Sequence, residues 1–153
     1  MPILSEIGLY EVSERHVLTI RETIDFNEFS QIAKSAYDKI RDYARQNEFA
    51  FAGDAFVCYH NTDLAALDVS LGFPVAQLLP GNGRITGHTL PRQKTVSALF
   101  LGPYEESDPL MLAIMQWIET HGYTMQGEIY NHYLNDDNRP RNEILTKISI
   151  PVV

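Results

Sequence analysis

Apolar and polar residues alternate with period two over residues 16–23, placing Val17, Thr19 and Arg21 on one face and Leu18, Ile20 and Glu22 on the other. That pattern predicts a β-strand. The period then changes. Phe26, Phe29, Ile32, Ala33, Ala36, Tyr37, Ile40, Tyr43 and Ala44 recur at steps of three and four, the stripe of a helix with one face in a core. Asp25 is suited to be its N-cap, with Glu28 three residues later in a capping-box-like place. Residues 49–53 form a turn, and residues 55–60 and 67–75 supply two more strands connected at Asn61-Thr62-Asp63. Past the breaker cluster Pro80-Gly81-Asn82-Gly83 the series starts again. A strand over 95–101 breaks at Gly102-Pro103-Tyr104. A helix with Asp108 as N-cap and Pro109 at N1 shows Leu110, Ile114, Trp117 and Ile118 on its apolar face, and stops at Gly122. Strands over 128–134 and 144–152 flank the polar loop 135–140. Near the N-terminus, Ile3, Ile7, Leu9 and Val12 could support a short edge strand.

The order of elements is therefore strand-helix-strand-strand, twice, and the residues repeat as well. A shift of 74 carries Gly53 to Gly127, Tyr59 to Tyr133, Asn61 to Asn135, Tyr43 to Trp117 and Phe49 to Tyr123. Downstream the shift becomes 77, matching Leu67-Asp68-Val69-Ser70-Leu71-Gly72-Phe73-Pro74-Val75 to Ile144-Leu145-Thr146-Lys147-Ile148-Ser149-Ile150-Pro151-Val152. This predicts a single α+β domain over 1–153, with pseudo-repeats over about 16–75 and 95–152 and a linker over about 80–94. The duplicated units would form antiparallel sheets with two helices and a groove between the halves where a ligand can lodge.

Composition narrows the function classes. The chain has 153 residues, 44% of them hydrophobic, with eight Tyr, seven Phe and one Trp, enough for one core without a metal or disulfide staple. Cys58 has no partner for an internal disulfide, and residues 1–20 lack the pattern of a signal peptide, so the cytoplasm is the expected location. No apolar run reaches the ~18–20 residues of a membrane span. With twelve basic and twenty acidic residues the formal charge is −8, which argues against direct nucleic-acid binding. His16, His60, His88, His121 and His132 show no ligand spacing for a metal, and no cofactor motif is present.

Five short motifs in order carry a family resemblance: Leu67-Asp68-Val69 with Gly72-Phe73-Pro74-Val75, Gly102-Pro103-Tyr104, Trp117-Ile118 with Gly122-Tyr123, Tyr133-Leu134-Asn135, and Leu145-Thr146 with Ile148 and Pro151-Val152. Together, over roughly residues 5–152, they resemble the GyrI-like, or AraC-type effector-binding, domain family. The resemblance implies a stand-alone module holding an amphipathic, aromatic, possibly cationic small molecule. A hydrolase of reactive lipophilic compounds or a gyrase-modulating interaction protein are the alternatives within the family, and a protein partner is possible.

In the family's regulators a buried glutamate meets a planar lipophilic cation among aromatic rings. Here the familiar acidic positions hold Asn131, Lys147 and, in the first half, Ser70. Asn131 can orient a ligand or a water but cannot act as a base near neutral pH, so no catalytic residue is expected. The candidate ligand residues are Tyr59, Tyr104, Trp117, Asn131 and Tyr133, with Glu22 and Asp68 as possible counter-charges and Lys147 at a border. For Tyr59, Tyr133 and Trp117 core packing is the competing role, and for Glu22 and Asp68 it is an exposed strand position.

Overall fold

The computed structural model describes residues 5–135 and 138–153. Ile3 of the expected edge strand and Asp136-Asp137 of the expected loop lie outside them. In chain order the elements are β1 (Gly8–Val12), β2 (Arg15–Ile24), α1 (Phe29–Gln46), β3 (Phe56–Tyr59), β4 (Leu67–Val75), β5 (Thr86–Leu90), β6 (Gln93–Leu101), α2 (Asp108–Thr120), β7 (Ile129–Tyr133) and β8 (Leu145–Val152). They fall into two units, one of residues 13–92 and the other of residues 1–12 with 93–153. Both units are α+β, with antiparallel pairing throughout.

In the first unit the strand order is β3-β4-β2-β5. The alternation read from the sequence is the one that folds: Leu18 pairs with Phe73, Ile20 with Leu71 and Glu22 with Val69 on one face, while Thr19 pairs with Gly72 and Arg21 with Ser70 on the other. Helix α1 covers the apolar face. Its buried residues are Ala33, Ala36, Tyr37, Ile40 and Ala44. The Tyr37 ring meets Phe73 edge-on at 5.5 Å, and its hydroxyl donates to the carbonyl of Phe56 at 2.8 Å, which satisfies the one polar atom this aromatic brings inside. Gly72 is obligatory: a Cβ there would lie 2.2 Å from the Leu18 carbonyl oxygen on the adjacent strand. The expected linker holds β5, which pairs with β2 from Thr19↔Thr86 to Arg15↔Leu90.

Two expectations about α1 need correction. The chain makes a 3-10 turn over Phe26–Glu28 before the α-helix, capped by Asp25, whose carboxylate accepts from the Asn27 amide at 2.9 Å. Glu28 makes no side-chain capping bond to α1. With the first turn wound more tightly, Phe26 leaves the helical stripe and is 48% exposed.

The second unit has the order β7-β8-β6-β1 with α2. Val96, Ala98 and Phe100 of β6, opposite Ile150, Ile148 and Thr146 of β8, form one buried face, and α2 buries Leu110, Ile114 and Ile118. Side chains on the other face include the buried Thr95, Ser97 and Ser149, just as Thr19 and Ser70 occupy the helix-free face of the first unit. Helix α2 starts one residue after Ser107, its N-cap, so Asp108 is the first helical residue rather than the cap.

The repeat is written in hydrogen bonds. Asn61 Nδ2 donates to the Ala66 carbonyl at 3.0 Å and its Oδ1 accepts from Asp68 N at 3.0 Å; Asn135 does the same with Glu143 O at 2.8 Å and Leu145 N at 2.9 Å. These partners obey the two shifts found in the sequence. Both helices also end alike. Phe49 N bonds Ala44 O and Glu48 N bonds Arg45 O in α1; Tyr123 N bonds Ile118 O and Gly122 N bonds Glu119 O in α2. This is the double bond of a Schellman cap, with its left-handed residue at Glu48 (φ 57°) and Gly122 (φ 79°). Paired rings complete it: Tyr43 with Phe49 at 5.8 Å, Trp117 with Tyr123 at 6.2 Å.

Candidate functional site

The end of the second unit's sheet nearest the start of α2 gathers three of the sequence candidates. Across β6, β8 and β7 the register places Phe100, Thr146 and Tyr133 in one row and Ala98, Ile148 and Asn131 in the next, all on one face. At Gly102 the chain takes φ 136°, a region that suits glycine, and its N–H donates to the Ile144 carbonyl at 2.8 Å. Pro103 then begins a 3-10 turn over Tyr104–Glu106, held by Ser107, whose Oγ donates to the Tyr104 carbonyl at 2.7 Å. This turn lays the Tyr104 ring edge-to-face on Tyr133, centroids 5.2 Å apart at 66°. Tyr104 stays 40% exposed, so the aromatic pair opens to solvent.

Beneath that pair lie two polar atoms without partners. Asn131 is 8% exposed and Thr146 1% exposed. Asn131 Oδ1 and Thr146 Oγ1 are buried and make no hydrogen bond among the described residues. Buried polar atoms are nearly always bonded, so two orphans on one face call for a specific explanation. Glu106 supplies an acid near this end. One of its carboxylate oxygens comes within 3.7 Å of where a Cβ on Gly102 would sit, beside two Phe100 ring carbons at 3.6 Å. Glu106 itself is exposed.

The first unit provides an internal comparison. Its 3-10 turn Phe26–Glu28 corresponds to Tyr104–Glu106 by a shift of 78, and the sequence shifts bring Tyr133 onto Tyr59, Asn131 onto Val57 and Thr146 onto Val69. There the rings form a ladder, Phe26 to Phe29 and Phe29 to Tyr59, each 6.0 Å between centroids. The floor beneath is valine at both positions and fully buried. The two units thus share the aromatic end and differ in the polarity under it.

The remaining candidates scatter. Glu22 shares the face of Tyr59, both flanking Val69, but its carboxylate is paired with Arg84 at 3.1 Å. Asp68 faces the other way, opposite Thr23, and takes two bonds from Arg21, at 2.9 Å from Nε and 2.7 Å from Nη2. Those bonds hold its carboxyl below the usual range. Lys147 pairs with Leu99 and His132, on the face opposite Asn131. Trp117 stands nine residues after Asp108, ~14 Å along α2 from the Tyr104 end. There it stacks on His121 at 3.8 Å, and the His121 Nδ1 lies 2.8 Å from the Trp117 carbonyl. It belongs to the helix cap rather than to the aromatic end.

Sequence reasoning missed Thr146, Glu106 and Phe29. The shift of 77 could have exposed the first, since it sets a threonine against Val69 on a strand face whose other residues, Ile144, Ile148, Ile150 and Val152, are apolar. Nothing comparable marks Glu106, whose position follows from the 3-10 turn.

Elsewhere on the helix-free face of the first unit, His60 Nε2 lies 2.8 Å from Ser70 Oγ, and the Cys58 sulfur is 3.9 Å from His60 Nδ1. His88, opposite Val17 on that same face, has its pKa lowered by burial and by the proximity of His60.

The model of the GyrI-like small molecule binding domain matches residues 6–153. The chain belongs to this family. Solved structures agree on the fold. EcmrR in its DNA complex superposes with a TM-score of 0.83 at 21% identity over 96% of this chain and 57% of that one, so this chain spans little more than half of EcmrR. The EcmrR C-terminal domain alone gives 0.76 at 22% identity, covering 97% of each chain. SAV2435 bound to tetraphenylphosphonium gives 0.69 at 13% identity, over 97% of this chain and 94% of that one. No curated protein matches the sequence. The chain is thus a GyrI-like small-molecule binding domain, and no helix among its described residues is long and apolar enough to cross a membrane.

Proposed function

We propose that this GyrI-like domain binds an amphipathic aromatic small molecule at the Tyr104–Tyr133 end of its second unit, without transforming it. The observation that carries the reading is the pair of orphaned buried atoms, Asn131 Oδ1 and Thr146 Oγ1, under an aromatic pair that is open to solvent. Aromatic rings offer a ligand large contact area with specific geometry, and unmet polar atoms fix its orientation. The amide of Asn131 gives no general base at the buried end, and the Glu106 carboxylate stands in solvent, which is the reason for reading binding without turnover. A regulatory effect would then pass through the ligand or a protein partner, since a net charge of −8 opposes direct contact with nucleic acid.

A thermal-shift titration against phenols, anilides, neutral hydrocarbons and lipophilic cations tests this. A ligand at about 100 times its dissociation constant adds ~2.7 kcal/mol, or roughly 5–11 °C in Tm for a chain of this size. Replacing Tyr104 by Ala should weaken any such ligand by about tenfold through loss of one ring contact. Ligands that bind the wild type and the Tyr104→Ala and Asn131→Val variants equally well would remove the site from this end of the sheet.

A further inference from the structure

We infer that the ligand's buried end is an uncharged aryl group carrying an N–H or O–H donor, such as a phenol or an anilide. The inference rests on the binding reading above and adds the chemistry of its occupant. The register surrounds Asn131 and Thr146 with Ile129, Ile148, Ala98, Phe100 and Tyr133, which bring neither a carboxylate nor a cation. Lys147 and His132 point to the opposite face, and Glu106 is exposed to solvent. A cation pushed into this place would lose its hydration with no buried counter-charge among the described residues to replace it.

Both orphaned atoms are acceptors. Asn131 Oδ1 accepts only, and Thr146 Oγ1 accepts through its lone pairs while its rotating hydroxyl can also donate. A quaternary cation has no donor for either. A phenol O–H or an anilide N–H meets Asn131 Oδ1 directly, and its own oxygen can take the Thr146 hydroxyl. The ring behind that donor would lie against Tyr133 and Tyr104, which already meet at 5.2 Å.

Comparison of the two units strengthens the point. Position for position, the first unit has Val57 and Val69 where the second has Asn131 and Thr146. A purely apolar floor is therefore compatible with this architecture, and the polar atoms are not needed to build the sheet. A site that hydrogen-bonds its ligand discriminates sharply against analogues lacking the donor, because the orphans then stay unmet.

The experiment uses the purified full chain with three matched probe series: one- to three-ring phenols and anilides, their O-methyl and N-methyl counterparts, and tetraphenylphosphonium. Affinities come from calorimetry with wild type, Tyr104→Ala, and the double variant Asn131→Val with Thr146→Val. Near-UV circular dichroism reports folding, and the valines are residues the same fold already uses at the corresponding places. The expected result is at least about tenfold tighter binding of donor compounds than of their methylated counterparts, a preference abolished in the double variant. If tetraphenylphosphonium binds wild type more tightly than every donor compound, and Tyr104→Ala weakens it, the site stands and the donor inference falls. Donor compounds that bind no better than their methylated partners overturn it too. If no probe responds to Tyr104→Ala or to the double variant, the binding site itself is misplaced.

Discussion

If Asn131 and Thr146 are held unsatisfied for a ligand, the empty protein must bear the cost, and removing both polar groups should stabilise it. Each buried acceptor without a partner costs about 1–3 kcal/mol. Both oxygens are themselves fully buried, so neither is relieved by solvent, whatever exposure the rest of each residue keeps. Threonine to valine keeps the volume, and asparagine to valine adds about one methylene at a place where the matched residue is already Val57, so strain should stay below the desolvation. The double variant should therefore gain about 3 kcal/mol, which for a chain of this length raises Tm by roughly 6–12 °C. The positions are diagonal neighbours across β7 and β8, so the two gains need not add. Melting curves by calorimetry of wild type, both single variants and the double variant, all ligand-free at pH 7, decide the matter. No gain in either single variant, or a loss, would show that water or the fold already satisfies these atoms, and the argument for a donor ligand would lose its premise.

Other expectations are simpler to check. Glu48 holds φ 57° at the end of α1, where the equivalent Gly122 holds 79°, so Glu48→Gly should stabilise by about 1 kcal/mol and Gly122→Ala should cost about as much, both read as Tm. Lys147→Glu should leave binding at the Tyr104 end within about twofold, because Lys147 projects from the opposite face; a tenfold change in the calorimetric affinity for a cation would place it in the site. His88 is held below its ordinary pKa, so the unfolded chain takes up its proton first as pH falls. Stability should be full above the unfolded value near 6.5 and decline as pH drops from about 7 towards the folded pKa, and His88→Gln should flatten that part of the urea-derived profile.

Much of the fold was legible because periodicity and repetition are local facts. The alternation around β2 put Leu18, Ile20 and Glu22 on the correct shared face, and the shift of 74 matched Asn61 to Asn135 and Tyr43 to Trp117, each pair doing the same structural work. The failures came where one turn of chain departs from the ideal helix. A 3-10 turn before α1 threw Phe26 out of the stripe, and its twin before α2 brought Tyr104 over Tyr133 and Glu106 beside Gly102. Counter-charges were harder still. Glu22 and Asp68 looked free in the sequence, but Arg84 and Arg21 reach them from distant positions, and periodicity says nothing about such partners.

The comparison of the two units separates what builds this domain from what it is for. Bonds that recur in both, such as the asparagine clamps and the Schellman caps, serve the shared architecture, since they appear wherever the same turn must be made. Residues that differ at matched places are released from that duty. Asn131 and Thr146 against Val57 and Val69 are such a difference, and a costly one in the direction opposite to stability. Polar atoms in a core that works without them ask for a reason outside the fold. A ligand that presents its own donor supplies that reason, and it predicts that one protein variant should be at once more stable and less able to bind.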